Sequence, residues 1–134
     1  MAAQSNGTKP AAARPYFRLD TSWWLVQTAG MNAYQVAAFD RLMVFAWMQD
    51  PPGTLPDDEQ QLAAMAGVSL DKWSDIGALV TSRMTRVPRS RPARLGIPFL
   101  IQQYEAMCTE HAANVAAGRA GARKRWHPKG GGGK

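Results

Sequence analysis

Residues 54–80 read TLPDDEQQLAAMAGVSLDKWSDIGALV, and the punctuation in this stretch decides the fold. Thr54-Leu55-Pro56-Asp57-Asp58-Glu59 reads as the opening of a helix that reaches about Ala66, because acids in a first turn complement the positive end of the helix dipole. Leu62, Met65 and Ala66 fall on its inward side, and Gly67 supplies a C-terminal stop. Ser69 then caps another helix, whose apolar positions Leu70, Trp73, Ile76 and Val80 recur every three to four residues. Two short helices joined by Ala66-Gly67-Val68-Ser69 have the layout of a helix-turn-helix.

Upstream, the spacing predicts a helix from about Ala33 to Met48. Asn32 is a good N-cap, and Gln35 three positions on completes a capping-box pattern. Val36, Phe39, Met43, Ala46 and Trp47 form its buried stripe, and Asp50-Pro51-Pro52-Gly53 ends it, since proline can neither continue a helix nor donate to it. Trp23 and Trp24 are expected to cover one end of the core, with one of the adjacent pair free to point outward. Tyr16-Phe17-Arg18-Leu19 suits a short strand or an extended arm, and residues 1–15, small and polar, suit a disordered lead-in.

Downstream, the arginine-rich stretch to Arg94 contains Pro88 and Pro92, so it suits a projecting hairpin or loop rather than a helix. From Phe99 a helical period returns, with Ile101, Tyr104, Cys108, His111 and Val115 on one stripe. Carried to Trp126, that helix would be about 40 Å long. Residues 118–134 form a basic, glycine-rich tail. The order helix, helix-turn-helix, basic hairpin, helix predicts a mainly α fold with a small β-hairpin. It is the element order of a winged helix-turn-helix with a long C-terminal helix, here spanning residues 16–117.

Charge says what such a fold would be for. The 134 residues carry 16 Lys and Arg against 10 Asp and Glu, a formal net charge of +6. Residues 83–94 hold Arg83, Arg86, Arg89, Arg91 and Arg94 and no acid; residues 118–134 hold Arg119, Arg123, Lys124, Arg125, Lys129 and Lys134 and no acid. Five basic residues then face all ten acids elsewhere. Two cationic strips on an acidic body suit a polyanion-binding surface, although basic loops and tails also merely solubilise. Arginine favours bidentate phosphate contact over lysine. The candidate DNA contacts are therefore the five hairpin arginines, then Arg119, Arg123, Lys124 and Arg125, and finally Lys72 on the second helix of the helix-turn-helix. Lys72 stands between Asp71 and Asp75, which phosphate would repel, and no Arg or Asn there is placed to read a base edge. Affinity without much sequence information is the expectation, on double-stranded in preference to single-stranded DNA.

Other chemistries fit less well. Asp57, Asp58 and Glu59 occupy consecutive positions that point around a helix axis rather than converging, which suits a helix start better than a metal or acid–base site. Cys108 and His111 share a face, but a structural zinc site needs four ligands and no second pair exists. A buried thiol and a hydrogen-bonded core histidine are the better reading. Gly130–Gly133 and Lys134 lack the Ser/Thr, the preceding strand and the following helix of a phosphate loop. With two histidines no nucleophile–base arrangement can be argued, so no catalysis, metal or cofactor is expected. Trp47 and Trp73 are core positions, whereas Trp126, after Arg123-Lys124-Arg125, could stack on an unpaired base or pin the helix end to a neighbouring subunit. One cysteine, no apolar run long enough to span a bilayer and no secretory h-region point to a soluble protein.

Tyr34…Trp47, Leu55-Pro56-Asp57-Asp58, Leu62-Ala63, Ala66-Gly67-Val68-Ser69 and Trp73 together resemble the YdaU-type domain of phages and prophages. The ending Gly118-Arg119-Ala120-Gly121-Ala122-Arg123-Lys124-Arg125-Trp126 is similar to that family's usual finish. Asn32 stands where the family usually has Gly, and the hairpin lacks the expected Gly-Arg turn. The resemblance covers about residues 16–126 and is most informative over 34–73. It implies a winged-helix module of replication-initiator or replisome-organiser proteins, working in the bacterial host cytoplasm and without catalytic residues.

Three functions follow as expectations. The first is DNA binding in replication through arginine–phosphate contacts. The second is a protein-interaction module that captures a host or phage replication or transcription protein, which the acidic second helix of the helix-turn-helix suits. The third is a self-associating architectural element, a homodimer through the stripe from Ile101 to Val115.

Overall fold

The structure is a computed structural model that describes residues 15–126. Its elements run α1 (Thr21–Thr28), α2 (Ala33–Trp47), β1 (Thr54–Pro56), α3 (Glu59–Ala66), α4 (Leu70–Thr81), β2 (Thr85–Arg86), β3 (Arg94–Gly96) and α5 (Pro98–Trp126). The fold is mainly helical, with a small antiparallel sheet and a long C-terminal helix. The chain falls into two compact units, one of residues 13–104 and one whose described part is residues 105–126.

Helix α2 organises the first unit. The Asn32 side chain accepts from the Gln35 amide at 2.9 Å while Gln35 Oε1 accepts from the Asn32 amide at 2.9 Å, the reciprocal capping box expected from the sequence. One face of α2 buries Phe39, Leu42, Met43, Ala46 and Trp47 against α3, α4 and β1. Phe39, Leu42, Trp47, Leu55, Val80, Ile97 and Leu100 are the largest side chains fully shielded from solvent. Removing such groups from water supplies roughly 1.5–3 kcal/mol each, which makes this cluster the main stabilising element of the unit.

The opposite face of α2 is also apolar, with Tyr34, Val44 and Met48 more than half exposed. Val36, expected inside, is half-buried, and Leu70 is 43% exposed rather than part of the α4 stripe. Trp73, Ile76 and Val80 do face the core.

Two elements differ from the sequence expectation. Thr54-Leu55-Pro56 is a strand, not a helix start: Leu55 pairs with Leu95, Thr54 with Gly96 and Pro56 with Arg94. The strand order is β1-β3-β2, so β1 lies at an edge, where a proline can sit without breaking a ladder. Helix α3 begins only after Asp58, whose carboxylate accepts from the Gln61 amide at 3.2 Å, and ends at Gly67 with φ of 79°. The partner that turns residues 54–56 into a strand lies some forty positions downstream, outside any local reading.

The second difference is α1, a helix where a tryptophan-bearing cover was expected. Asp20 caps it by accepting from the Trp23 amide at 3.0 Å. Both adjacent tryptophans are engaged and half-buried: Trp23 stacks on Phe99 with centroids 4.3 Å apart, and Trp24 Nε1 donates to Asp40 at 2.7 Å. Neither points free. Residues 16–19 form an extended arm, as one of the two readings allowed; Phe17 meets Trp47, and Arg18 exchanges two hydrogen bonds with the Gln103 side chain.

Helix α5 has 29 residues, about 44 Å of length, and opens on Pro98, the residue type best tolerated in a first turn. Its first turns belong to the core of residues 13–104, where Leu100 is buried and Tyr104 meets Trp47 edge-on. Cys108 and His111, expected in the core, are only half-buried because this part of α5 lies beyond the packed residues around Leu100, and Val115 is 38% exposed. No helix among the described residues is long and apolar enough to cross a membrane. The first fourteen residues of the expected lead-in over 1–15, the Trp126 side chain, and His127, Lys129, the glycine run and Lys134 lie outside what is described.

Candidate nucleic-acid interface

Strands β2 and β3 pair antiparallel, with Thr85 opposite Gly96 and Arg86 opposite Leu95, so residues 83–94 do form a hairpin. The loop between them is tied together by one serine. Ser90 Oγ donates to the Val87 carbonyl at 3.3 Å and accepts from the Arg94 amide at 3.0 Å, while the Val87 amide donates to the Arg94 carbonyl at 2.9 Å. Arg89 sits in the left-handed region at φ of 61°, a conformation that costs a residue with a Cβ about 1 kcal/mol or more and needs such a tie to hold it.

The five hairpin arginines separate into two kinds. Arg89 and Arg91 are exposed on the loop, and Arg86 is 73% exposed with only a 3.5 Å ion pair to Asp57. Such an exposed pair is worth about 0–1 kcal/mol and gives way to a better partner. Arg83 and Arg94 are instead engaged by the fold. Arg83 donates from Nε to the Gln27 carbonyl at 2.8 Å and from Nη2 to the Ala29 carbonyl at 3.0 Å, closing the C-terminal end of α1. Arg94 donates from Nε to Thr54 Oγ1 at 2.9 Å and from Nη2 to Gln49 Oε1 at 3.0 Å, tying β3 to the segment between α2 and β1. Their geometry fits them to hold the platform rather than to reach a phosphate.

Lys72 is engaged too: its Nζ stands 4.2 Å from the centroid of the Tyr34 ring. Around it α4 presents Asp71, Ser74, Asp75 and Ala78, a surface with more acid than base. Of the second cationic strip, four members are described. Arg119, Arg123, Lys124 and Arg125 are all exposed on α5, and the last three lie in its final turn, where cations complement the negative end of the helix dipole.

Of the acids singled out in the sequence, Asp58 caps α3, Asp57 pairs with Arg86, and Glu59 is exposed in the first turn. Among the described residues no group of three or more His, Cys, Asp or Glu side chains could hold a metal ion. What the sequence did not disclose is a cleft of about 500 Å³ between α3, α4 and the hairpin, with Trp73 and Gly77 in its wall. Its walls come from three separate segments, so no local spacing announces it.

No curated protein and no solved structure matches the chain. A family model described as "Protein of unknown function (DUF1376)" matches residues 15–87, the segment from α1 through β2, and the chain belongs to that family.

Proposed function

We propose that this chain is a phage-type DNA-binding protein with a winged-helix core that acts in DNA replication through arginine–phosphate contacts. The order α2, β1, α3, α4, β2, β3 with β1 paired to β3 supports the winged-helix reading, with α3 and α4 as the helix-turn-helix and β2–β3 as the wing. The observation that carries the functional reading is the hairpin itself. It exposes Arg89 and Arg91 on a loop that a serine holds in one shape, and Arg86 on the strand that leads into it. A loop backbone already held in one shape need not be ordered when its arginines meet phosphate, which lowers the entropic cost of binding. The exposed strip on α5 adds cations that need no fixed geometry.

Sequence discrimination should be weak. In a helix-turn-helix the second helix reads base edges, and here that helix carries Asp71 and Asp75, with Lys72 held over an aromatic ring. Backbone contacts position a protein but carry little base information. The place in replication rests on the resemblance to the YdaU-type domain, and the reading assigns the chain no catalytic step.

Fluorescence anisotropy on short duplex and single-stranded oligonucleotides tests this. The Arg86→Ser/Arg89→Ser/Arg91→Ser variant should lose at least about tenfold in duplex affinity at low salt. Wild-type protein that fails to bind duplex DNA near about 100 mM salt, or a triple variant that binds as wild type, would contradict the reading.

A further inference from the structure

Trp73 is 4% exposed, and its indole lies across the backbone of α4 at Gly77. A Cβ at position 77 would stand 2.5 Å from Cε2 and 2.8 Å from Nε1 of that ring, so only glycine lets the indole lie there. A buried indole N–H ordinarily finds an acceptor. Among the described residues the Nε1–H of Trp73 has none, yet no side-chain nitrogen or oxygen is both sealed from solvent and unpartnered. The N–H therefore opens outward, and the opening that Trp73 and Gly77 both line is the cleft between α3, α4 and the hairpin.

The other polar groups of the cleft define what would complement that donor. Asp57 and Glu59 line it from the start of α3, and Arg86 lines it from β2. Ser74 and Thr81 also line it; their hydroxyls donate to the carbonyls of Leu70 at 3.1 Å and Gly77 at 3.0 Å, leaving lone pairs to accept. Two carboxylates face one guanidinium, and the exposed residues of the same two helices add Asp58, Asp71 and Asp75. Phosphate is a poor fit to that field. An occupant that suits it carries one hydrogen-bond acceptor for Trp73 and one cation for the carboxylates.

We propose that this cleft binds a peptide segment of a partner protein, its main-chain carbonyl accepting from Trp73 Nε1–H and its Arg or Lys side chain lying between Asp57 and Glu59. A volume of about 500 Å³ accommodates a few residues, within the usual range of binding clefts. Arg86, 73% exposed and 3.5 Å from Asp57, yields its place to the incoming cation at little cost. The inference goes beyond the DNA reading and does not depend on it.

The test follows the tryptophan indole N–H signals of the full chain by ¹⁵N–¹H NMR, with Trp73 assigned from Trp73→Phe. Capped Ala-Arg-Ala and Ala-Lys-Ala peptides at millimolar concentration are titrated in, with Ala-citrulline-Ala as the neutral control. The two basic peptides should move the Trp73 signal saturably and the control should move it at least about tenfold less effectively. Glu59→Gln should weaken binding by a similar factor, and Ala78→Arg, which places bulk and charge in the cleft from an exposed position, should abolish it with the other indole signals unmoved. A Trp73 signal that neither basic peptide moves, or that moves as well for the control or in Ala78→Arg, overturns the proposal. So does a duplex oligonucleotide that shifts the Trp73 signal and is blocked by Ala78→Arg, which would give the cleft to nucleic acid instead. Loss of DNA binding in Arg89→Ser/Arg91→Ser, neither of which lines the cleft, with peptide binding retained, separates the two sites.

Discussion

Arg94 donates to Thr54 and Gln49, whereas Arg89, five positions earlier on the same hairpin, has no partner among the described residues. The two are indistinguishable as letters in a basic run, and their different environments give opposite mutational signatures. Arg94→Ala removes the three hydrogen bonds of a half-buried charged group and should cost about 2 kcal/mol, seen as a fall of several degrees in the thermal midpoint. Arg89→Ala should leave the midpoint within the roughly 0.5 kcal/mol typical of surface changes while lowering DNA affinity. Thermal melts and anisotropy on both variants check the pair; equal stability losses would remove the distinction. The sequence showed which residues are cationic. It could not show which are engaged, because the acceptors for Arg83 and Arg94 lie 56 and 40 positions away.

Elements were legible where their signals are local. The capping box of α2, the Ser69 cap and the Gly67 stop all act within four residues, and each is in place. Asn32→Ala should therefore cost about 1 kcal/mol in urea unfolding, with Gln35→Ala costing less. No change in the urea midpoint would mean that packing of Phe39, Leu42 and Trp47 fixes the helix end without the cap. Strand β1 was missed because its identity comes from β3, and a proline followed by acids looks locally like a helix start. Helix α1 was missed because its pattern is not amphipathic: Leu25 and Val26 are 63% and 68% exposed while Thr28 is buried. Along α5, the stripe proposed for dimerisation begins with Ile101 and Tyr104, whose surroundings include Gly53 and Trp47 of the same chain. Its first half is thus already occupied within one protomer, which leaves less apolar surface for a partner helix.

At the scale of the whole chain, function comes down to how charge is segregated. Residues 57–75 concentrate Asp57, Asp58, Glu59, Asp71 and Asp75, while residues 83–94 and 118–134 carry eleven of the 16 basic groups. That division was fully visible in the sequence, and it argues for two kinds of partner: a polyanion on the hairpin and the end of α5, and a basic segment on the α3–α4 face. The cleft that gives the second partner a seat was not visible, since Asp57, Trp73 and Arg86 are brought together only by the fold. The most direct test of the central claim is the salt dependence of duplex DNA binding. Log K should fall linearly with log salt at about −0.9 per phosphate contact. Arg86→Ser/Arg89→Ser/Arg91→Ser should flatten the slope by up to about 2.7, and serine at 119, 123, 124 and 125 should flatten it separately. A slope that neither set of changes alters would contradict the account.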